Sequence, residues 1–75
     1  FITVETTPES KITLIYEGKV VKETNTPLVG WKAPVGKYRL VIENSFINFR
    51  SEEEFQVYNS LTTNIRRQLK TGPLN

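Results

Sequence analysis

Between the turn Pro34-Val35-Gly36 and the polar pair Asn44-Ser45 lies Lys37-Tyr38-Arg39-Leu40-Val41-Ile42-Glu43, the strongest alternating run in the chain. Tyr38, Leu40 and Ile42 fall on one side, Lys37, Arg39 and Glu43 on the other, and Val41 is the exception. A period of two is the mark of a half-buried strand. The preceding Leu28-Val29-Gly30-Trp31 is short, as in an edge or bulged strand, with Gly30 as the bulge residue. Pro27 to Glu43 therefore reads as two strands and the corner between them, with a core formed against Trp31, Tyr38, Leu40 and Ile42. At the corner, Pro34 suits the first central position of a turn. A type I turn puts the positive φ on Gly36 and spares the β-branched Val35, feeding a bulged hairpin. Gly30 is expected to tolerate Ala better, as a bulge residue with negative φ.

The other segments repeat the pattern. Ile2-Thr3-Val4-Glu5-Thr6 alternates with Ile2 and Val4 inward, until Pro8-Glu9-Ser10 breaks it. Ile12, Leu14 and Tyr16 share a face of the next run, and Glu17-Gly18 is a tight-turn signal answered by Lys19-Val20-Val21-Lys22. Glu23 to Pro27 reads as a loop. Phe46, Ile47 and Phe49 are irregular, Ser51 to Glu54 reads as a solvated acidic run, and Phe55-Gln56-Val57 as a strand core. Leu61, Ile65 and Leu69 are spaced by four, which satisfies both a strand and, roughly, a helix. Arg66 to Leu69 are good helix formers, and a strand would turn Arg67 inward. Thr62, Thr63 and the lack of helical pattern elsewhere favour a strand from Leu61 to Lys70.

Composition limits what such a chain can do. Its 75 residues hold no Cys and no His, which excludes disulfides, zinc-type Cys/His centres and a Ser-based triad. The glycines are isolated, so there is no Gly-rich phosphate loop. No stretch approaches the ~20 apolar residues of a membrane-spanning helix. The lack of an initiating Met leads us to expect a piece of a longer protein. Ten Lys and Arg against eight acids, all Glu, leave a charge of +2, and the positives are scattered except for Arg66, Arg67 and Lys70.

In order, Pro8-Glu9-Ser10-Lys11, Glu17-Gly18-Lys19, Thr26-Pro27-Leu28 and Ala33-Pro34-Val35-Gly36-Lys37-Tyr38 punctuate these strands. That set of turns resembles a divergent PEGA domain, a small bacterial and archaeal β-sandwich module, with a neighbouring transthyretin-like sandwich of the kind appended to carboxypeptidases as the alternative. The resemblance runs from about Phe1 to Leu69. Ser10 and Lys11 stand where the naming turn has Gly and Ala, and Ser45-Phe46 stands where the family has Gly-Tyr. The resemblance implies an accessory module without catalytic residues. Such modules occur in surface and envelope proteins and attached to larger proteins such as Ser/Thr kinases, so the implied setting is extracytoplasmic or envelope-associated.

Four residues are candidates for ligand or partner contact. Trp31, with Tyr16 and Tyr38, has the chemistry of a sugar-binding platform, although large aromatics in so small a domain are more often core. Lys32 lies beside it. Arg66 and Arg67, with Lys70, could meet phosphate or an acidic surface, but edge strands commonly carry such charges against aggregation. Glu52-Glu53-Glu54 alternate faces on an extended segment and do not converge on a cation.

The expected fold is all-β: an antiparallel β-sandwich of about seven short strands over residues 1–70, with a tail or linker at 71–75. Its expected core is Val4, Ile12, Leu14, Tyr38, Leu40, Ile42, Phe55, Val57 and Leu61. The expected function is a non-catalytic structural or protein-interaction module without a cofactor. Its expected partners are other domains of the parent protein or envelope proteins, with an exposed edge strand as the expected means of contact. A carbohydrate-binding module using Trp31 is the alternative. Nucleic acid ranks last, because no aromatic residues interleave with the basic ones.

Overall fold

The run from Lys37 to Glu43 is one of seven strands, which the computed structural model describes over residues 1–69. Lys70 and the segment 71–75 lie outside the described residues. The strands are β1 (Ile2–Thr7), β2 (Lys11–Tyr16), β3 (Lys19–Asn25), β4 (Leu28–Trp31), β5 (Gly36–Asn44), β6 (Phe49–Val57) and β7 (Thr63–Gln68). They form two sheets, β4-β1-β7 and β3-β2-β5-β6, packed as a β-sandwich. Successive strands reverse direction, so β7 runs the same way as β1. Lying beside it, β7 pairs in parallel, Ile2 opposite Thr63 and Thr7 opposite Gln68. This is the one departure from the antiparallel expectation, and the parity of the strand count dictates it.

The direction of the strands gives the sandwich two ends. One carries Phe1, the Glu17-Gly18 turn, the segment from Lys32 to Gly36 and the loop from Tyr58 to Thr62; we call it the Gly36 end. The other carries Pro8 to Ser10, Thr26-Pro27 and a 3-10 turn at Ser45–Ile47; we call it the Phe46 end.

Between the sheets lie Ile2, Val4, Ile12, Leu14, Tyr38, Leu40, Ile42, Val57, Ile65 and Leu69, with Trp31 and Phe55 packed against them from partly buried positions. Leu61, expected in the core, is exposed instead. The strand begins only at Thr63, so of the three residues spaced by four, Ile65 and Leu69 alone face inward. Val41 points away from the core yet is 7% exposed. It sits between Thr13 and Glu52, on a face whose long ion-paired side chains cover apolar surface with their stems.

Two sequence readings need correction. Phe49 to Val57 is one continuous strand, glutamates included, and not a solvated run leading to a short core. The corner after Trp31 does not close a hairpin, because β4 and β5 belong to different sheets. It carries the chain across the sandwich, as do Pro8-Glu9-Ser10 and Thr26-Pro27, with cis peptide bonds at Thr7-Pro8 and Thr26-Pro27. By contrast, Glu17 and Gly18, with φ of 52° and 77°, make the expected two-residue hairpin.

Gly36 does take the positive φ, 148°, an extended mirror-region value rather than the left-handed one expected of it. It also has no room: a Cβ there would lie 2.6 Å from Tyr16 Cε1. Gly30 sits in the bulge between the Ile2–Trp31 and Val4–Leu28 pairs, as expected. Its φ is +61°, not negative, but the space around it is open. Its N–H donates to Thr3 Oγ1 at 2.9 Å. We predict that Gly36→Val lowers stability by roughly 3 kcal/mol, from backbone strain plus overpacking. Gly30→Ala should cost about 1 kcal/mol, from strain alone. Thermal melts of the two variants check the order.

At the Phe46 end the two crossings are tied by buried polar side chains. Thr6, Ser10, Thr26 and Asn44 are all buried. Thr26 N–H donates to the Ser10 carbonyl at 2.8 Å, and Ser10 N–H donates to Thr26 Oγ1 at 2.9 Å. The Thr26 and Thr6 hydroxyls are 2.7 Å apart, and Thr6 Oγ1 donates to the Pro8 carbonyl. Ser10 Oγ also donates to Pro8, and Asn44 Nδ2 donates to Ser10 Oγ at 3.0 Å. Among the described residues no buried side-chain nitrogen or oxygen lacks a partner. Thr26→Val keeps the shape but strips Ser10 N–H of its acceptor, so it should destabilise by roughly 2 kcal/mol, read as a fall in the denaturant midpoint.

Candidate functional site

The sequence candidates fall on opposite edges of the three-stranded sheet and do not meet. Trp31 ends β4, partly buried and packed against the core, with Lys32 exposed beyond it. Arg66 and Arg67 lie on β7, across β1 from β4. Tyr38 is 1% exposed, and this burial removes it from any platform with Trp31. Its ring stacks on Tyr16, centroids 4.6 Å apart, and on Phe55 at 5.8 Å. Burial first, then the neighbouring Tyr16 and Glu17, pushes the Tyr38 hydroxyl above its ordinary pKa. That hydroxyl donates to the Pro34 carbonyl at 2.7 Å, and Tyr16 donates to the Val35 carbonyl at 3.1 Å. The two tyrosines thus hold the crossing that leads into Gly36.

Both arginines are ion-paired. Arg66 reaches Glu5 on β1 at 2.9 Å. Arg67 has the parity that faces the core, the feature that made a strand awkward in the sequence. At the rim of the sandwich it spans to the other sheet instead: Nε meets Glu53 Oε2 at 3.0 Å and the second nitrogen meets Oε1. This two-pronged fit suits guanidinium and carboxylate. The Glu53 hydrogen bonds hold the Arg67 guanidinium above its usual pKa.

The remaining glutamates of β6 point outward and bind cations of their own sheet. Glu52 meets Arg50 at 2.7 Å, and Arg50 meets Glu43 at 3.5 Å. Glu54 meets Lys37 at 3.3 Å and Arg39 at 3.6 Å. The hydrogen bond from Lys37, reinforced by its charge, holds Glu54 below the ordinary carboxylate range. Among the described residues no three His, Cys, Asp or Glu side chains gather as a metal site. No helix there is long and apolar enough to cross a membrane, which leaves strands out of account.

Sequence reasoning weighed Glu53 only within its acidic run, without its partner on the other sheet, and passed over the display of Phe46, which is 98% exposed. Phe46 rides on the 3-10 turn. Its N–H donates to Asn44 Oδ1 at 3.0 Å, and the turn closes with Asn48 at φ 53°. Beside it opens a cleft of about 290 Å³ lined by Glu9, Ser10, Lys11, Glu43 and Asn44 among others. An aromatic residue inside irregular sequence carries no signal that separates display from burial.

No protein-family model, curated protein or solved structure matches the chain. The resemblance to PEGA domains therefore rests on the turn residues alone.

The Glu53–Arg67 pair is the clearest constructed contact on the rim. A double-mutant cycle with Glu53→Gln and Arg67→Gln should give a coupling of about 1 kcal/mol or less, because the pair is partly exposed. The coupling should shrink with added salt. Replacing both residues by Val removes the inward-pointing charges from two sheet edges and should raise association above that of the wild type at the same concentration, seen by light scattering.

Proposed function

We propose that this chain is a non-catalytic structural and protein-interaction module of a larger protein, in the manner of the accessory modules its turns resemble. The observation that carries this reading is the commitment of its chemistry-bearing side chains to one another. Seven ion pairs among the described residues join cations to glutamates, five across paired strands, one within β6 and one between the two sheets. The buried hydroxyls and the Asn44 amide serve the crossings. Beside this, β1 and β7 run together from the Gly36 end to the Phe46 end. A chain that passes through the module comes in at one end and leaves at the other, which suits a spacer between neighbouring parts. An extracytoplasmic, envelope-associated setting follows from the PEGA resemblance and belongs to the same proposal.

A carbohydrate-binding reading draws on one observation: Trp31 is only partly buried, on a bulged edge strand, beside a Lys32 that has no ion-pair partner among the described residues. One experiment separates the two readings. The protein is titrated with cell-wall and other glycans while its single tryptophan is followed by fluorescence. Unchanged emission is expected. A saturable shift, together with a calorimetric binding signal that vanishes in Trp31→Ala, would transfer the function to carbohydrate binding. Turnover of any substrate by the isolated chain would overturn the non-catalytic reading.

A further inference from the structure

The two ends of the sandwich differ in a way that neither stability nor the ion-pair network accounts for. At the Phe46 end a single aromatic ring stands 98% exposed. Its turn is anchored, because the Asn44 side chain that accepts from Phe46 N–H also donates to Ser10 Oγ and to the Glu9 carbonyl. The ring is therefore presented from a tethered base and not from a slack loop. At the Gly36 end Phe1, Val35, Tyr58 and Leu61 are each between 50% and 58% exposed. They are neighbours: Phe1 N donates to the Leu61 carbonyl, and Leu61 N donates to that of Tyr58. Val35 and Tyr58 extend the Gly36–Val57 strand pair. Contiguous exposed apolar groups of this kind mark interaction surfaces.

Charge sorts the same way. Salt bridges occupy most of the ionic side chains. Among the described residues they leave Glu9 at the Phe46 end without a partner. At the Gly36 end they leave Lys19 and Lys32 against the single acid Glu17. One end thus offers an aromatic knob beside an unpaired acid, and the other offers an apolar rim beside unpaired lysines.

We infer that the partner of each end is the opposite end of a second copy of this chain. Phe46 packs among Phe1, Val35, Tyr58 and Leu61 of the next molecule, and Glu9 faces its Lys19 and Lys32. The contact is heterologous, because the two surfaces lie at opposite ends of the molecule, so it does not close at a dimer and builds a row of modules. This deepens the structural reading by naming its partner. A protein that stays monomeric would refute the stacking and leave the spacer role intact.

The test is sedimentation velocity on the full chain over a concentration series, with Phe46→Ser and Leu61→Ser. Both side chains are exposed, so thermal melts should show both variants folded; if Leu61→Ser does not fold, Tyr58→Ser takes its place. The wild type should grow in mean mass with concentration without stopping at a dimer. Each variant alone keeps one good end and should be monomeric. Mixed, the two variants should form a heterodimer and nothing larger, because the intact Gly36 end of one meets the intact Phe46 end of the other. A monomeric wild type would overturn the inference. So would a plateau at a symmetric dimer, unchanged association in Phe46→Ser, or a mixture that stays monomeric.

Discussion

The reciprocal bonding of Ser10 and Thr26 holds the sandwich together at the point where two crossings pass. Each crossing must bury backbone polar groups between layers, and a buried group without a partner costs more than a formed hydrogen bond returns. Here the backbone N–H of one crossing is satisfied by the side chain of the other, and its carbonyl by the other's backbone. Thr6 and Asn44 extend the arrangement to the ends of β1 and β5, so strands from both sheets meet in one set of hydrogen bonds. Without Cys or His this chain has no covalent or zinc-type staple. A buried and fully partnered polar network does that job in a domain whose apolar core is thin.

The opposite end solves the same problem with rings. Tyr16, Tyr38 and Phe55 stack across three strands of one sheet. The two tyrosine hydroxyls then hold the carbonyls of Pro34 and Val35. Gly36 is required because the Tyr16 ring occupies the space where a side chain would stand. Each end is therefore rigid for a different reason, and both present apolar groups to solvent from anchored turns. That rigidity underlies both the spacer reading and the proposed stacking of copies, since a preorganised contact loses less entropy on association.

The rims are managed by charge and by irregularity. β3 and β4 carry bulges where they pair with β2 and β1. β6 and β7 are regular, and each turns one charged residue inward so that Glu53 and Arg67 meet across the gap. Both devices discourage pairing with a foreign strand. The lateral edges are thus blunted against strand pairing, while exposed apolar groups stand at the two ends and, as Val20, Val21 and Val29, on β3 and β4.

The sequence by itself determined the all-β class, the inward residues Val4, Ile12, Leu14, Tyr38, Leu40, Ile42 and Val57, and the Glu17-Gly18 hairpin. It also placed a positive φ at Gly36 and the bulge at Gly30. These follow from alternation and turn chemistry, which are local. It favoured a strand from Leu61 to Lys70 without excluding a helix, and it read Ser51 to Glu54 as a solvated run. Three glutamates in a row carry no strand signal until their cations are in place. Only the tertiary structure decided that Arg67 has a partner, because Glu53 lies on another sheet and fourteen residues away. It alone turned Thr6, Ser10, Thr26 and Asn44 from turn residues into buried ones, and sent the corner after Trp31 across the sandwich instead of back along it. In each case the deciding force is the desolvation of a polar group, and whether that group is desolvated depends on what the other sheet brings over it.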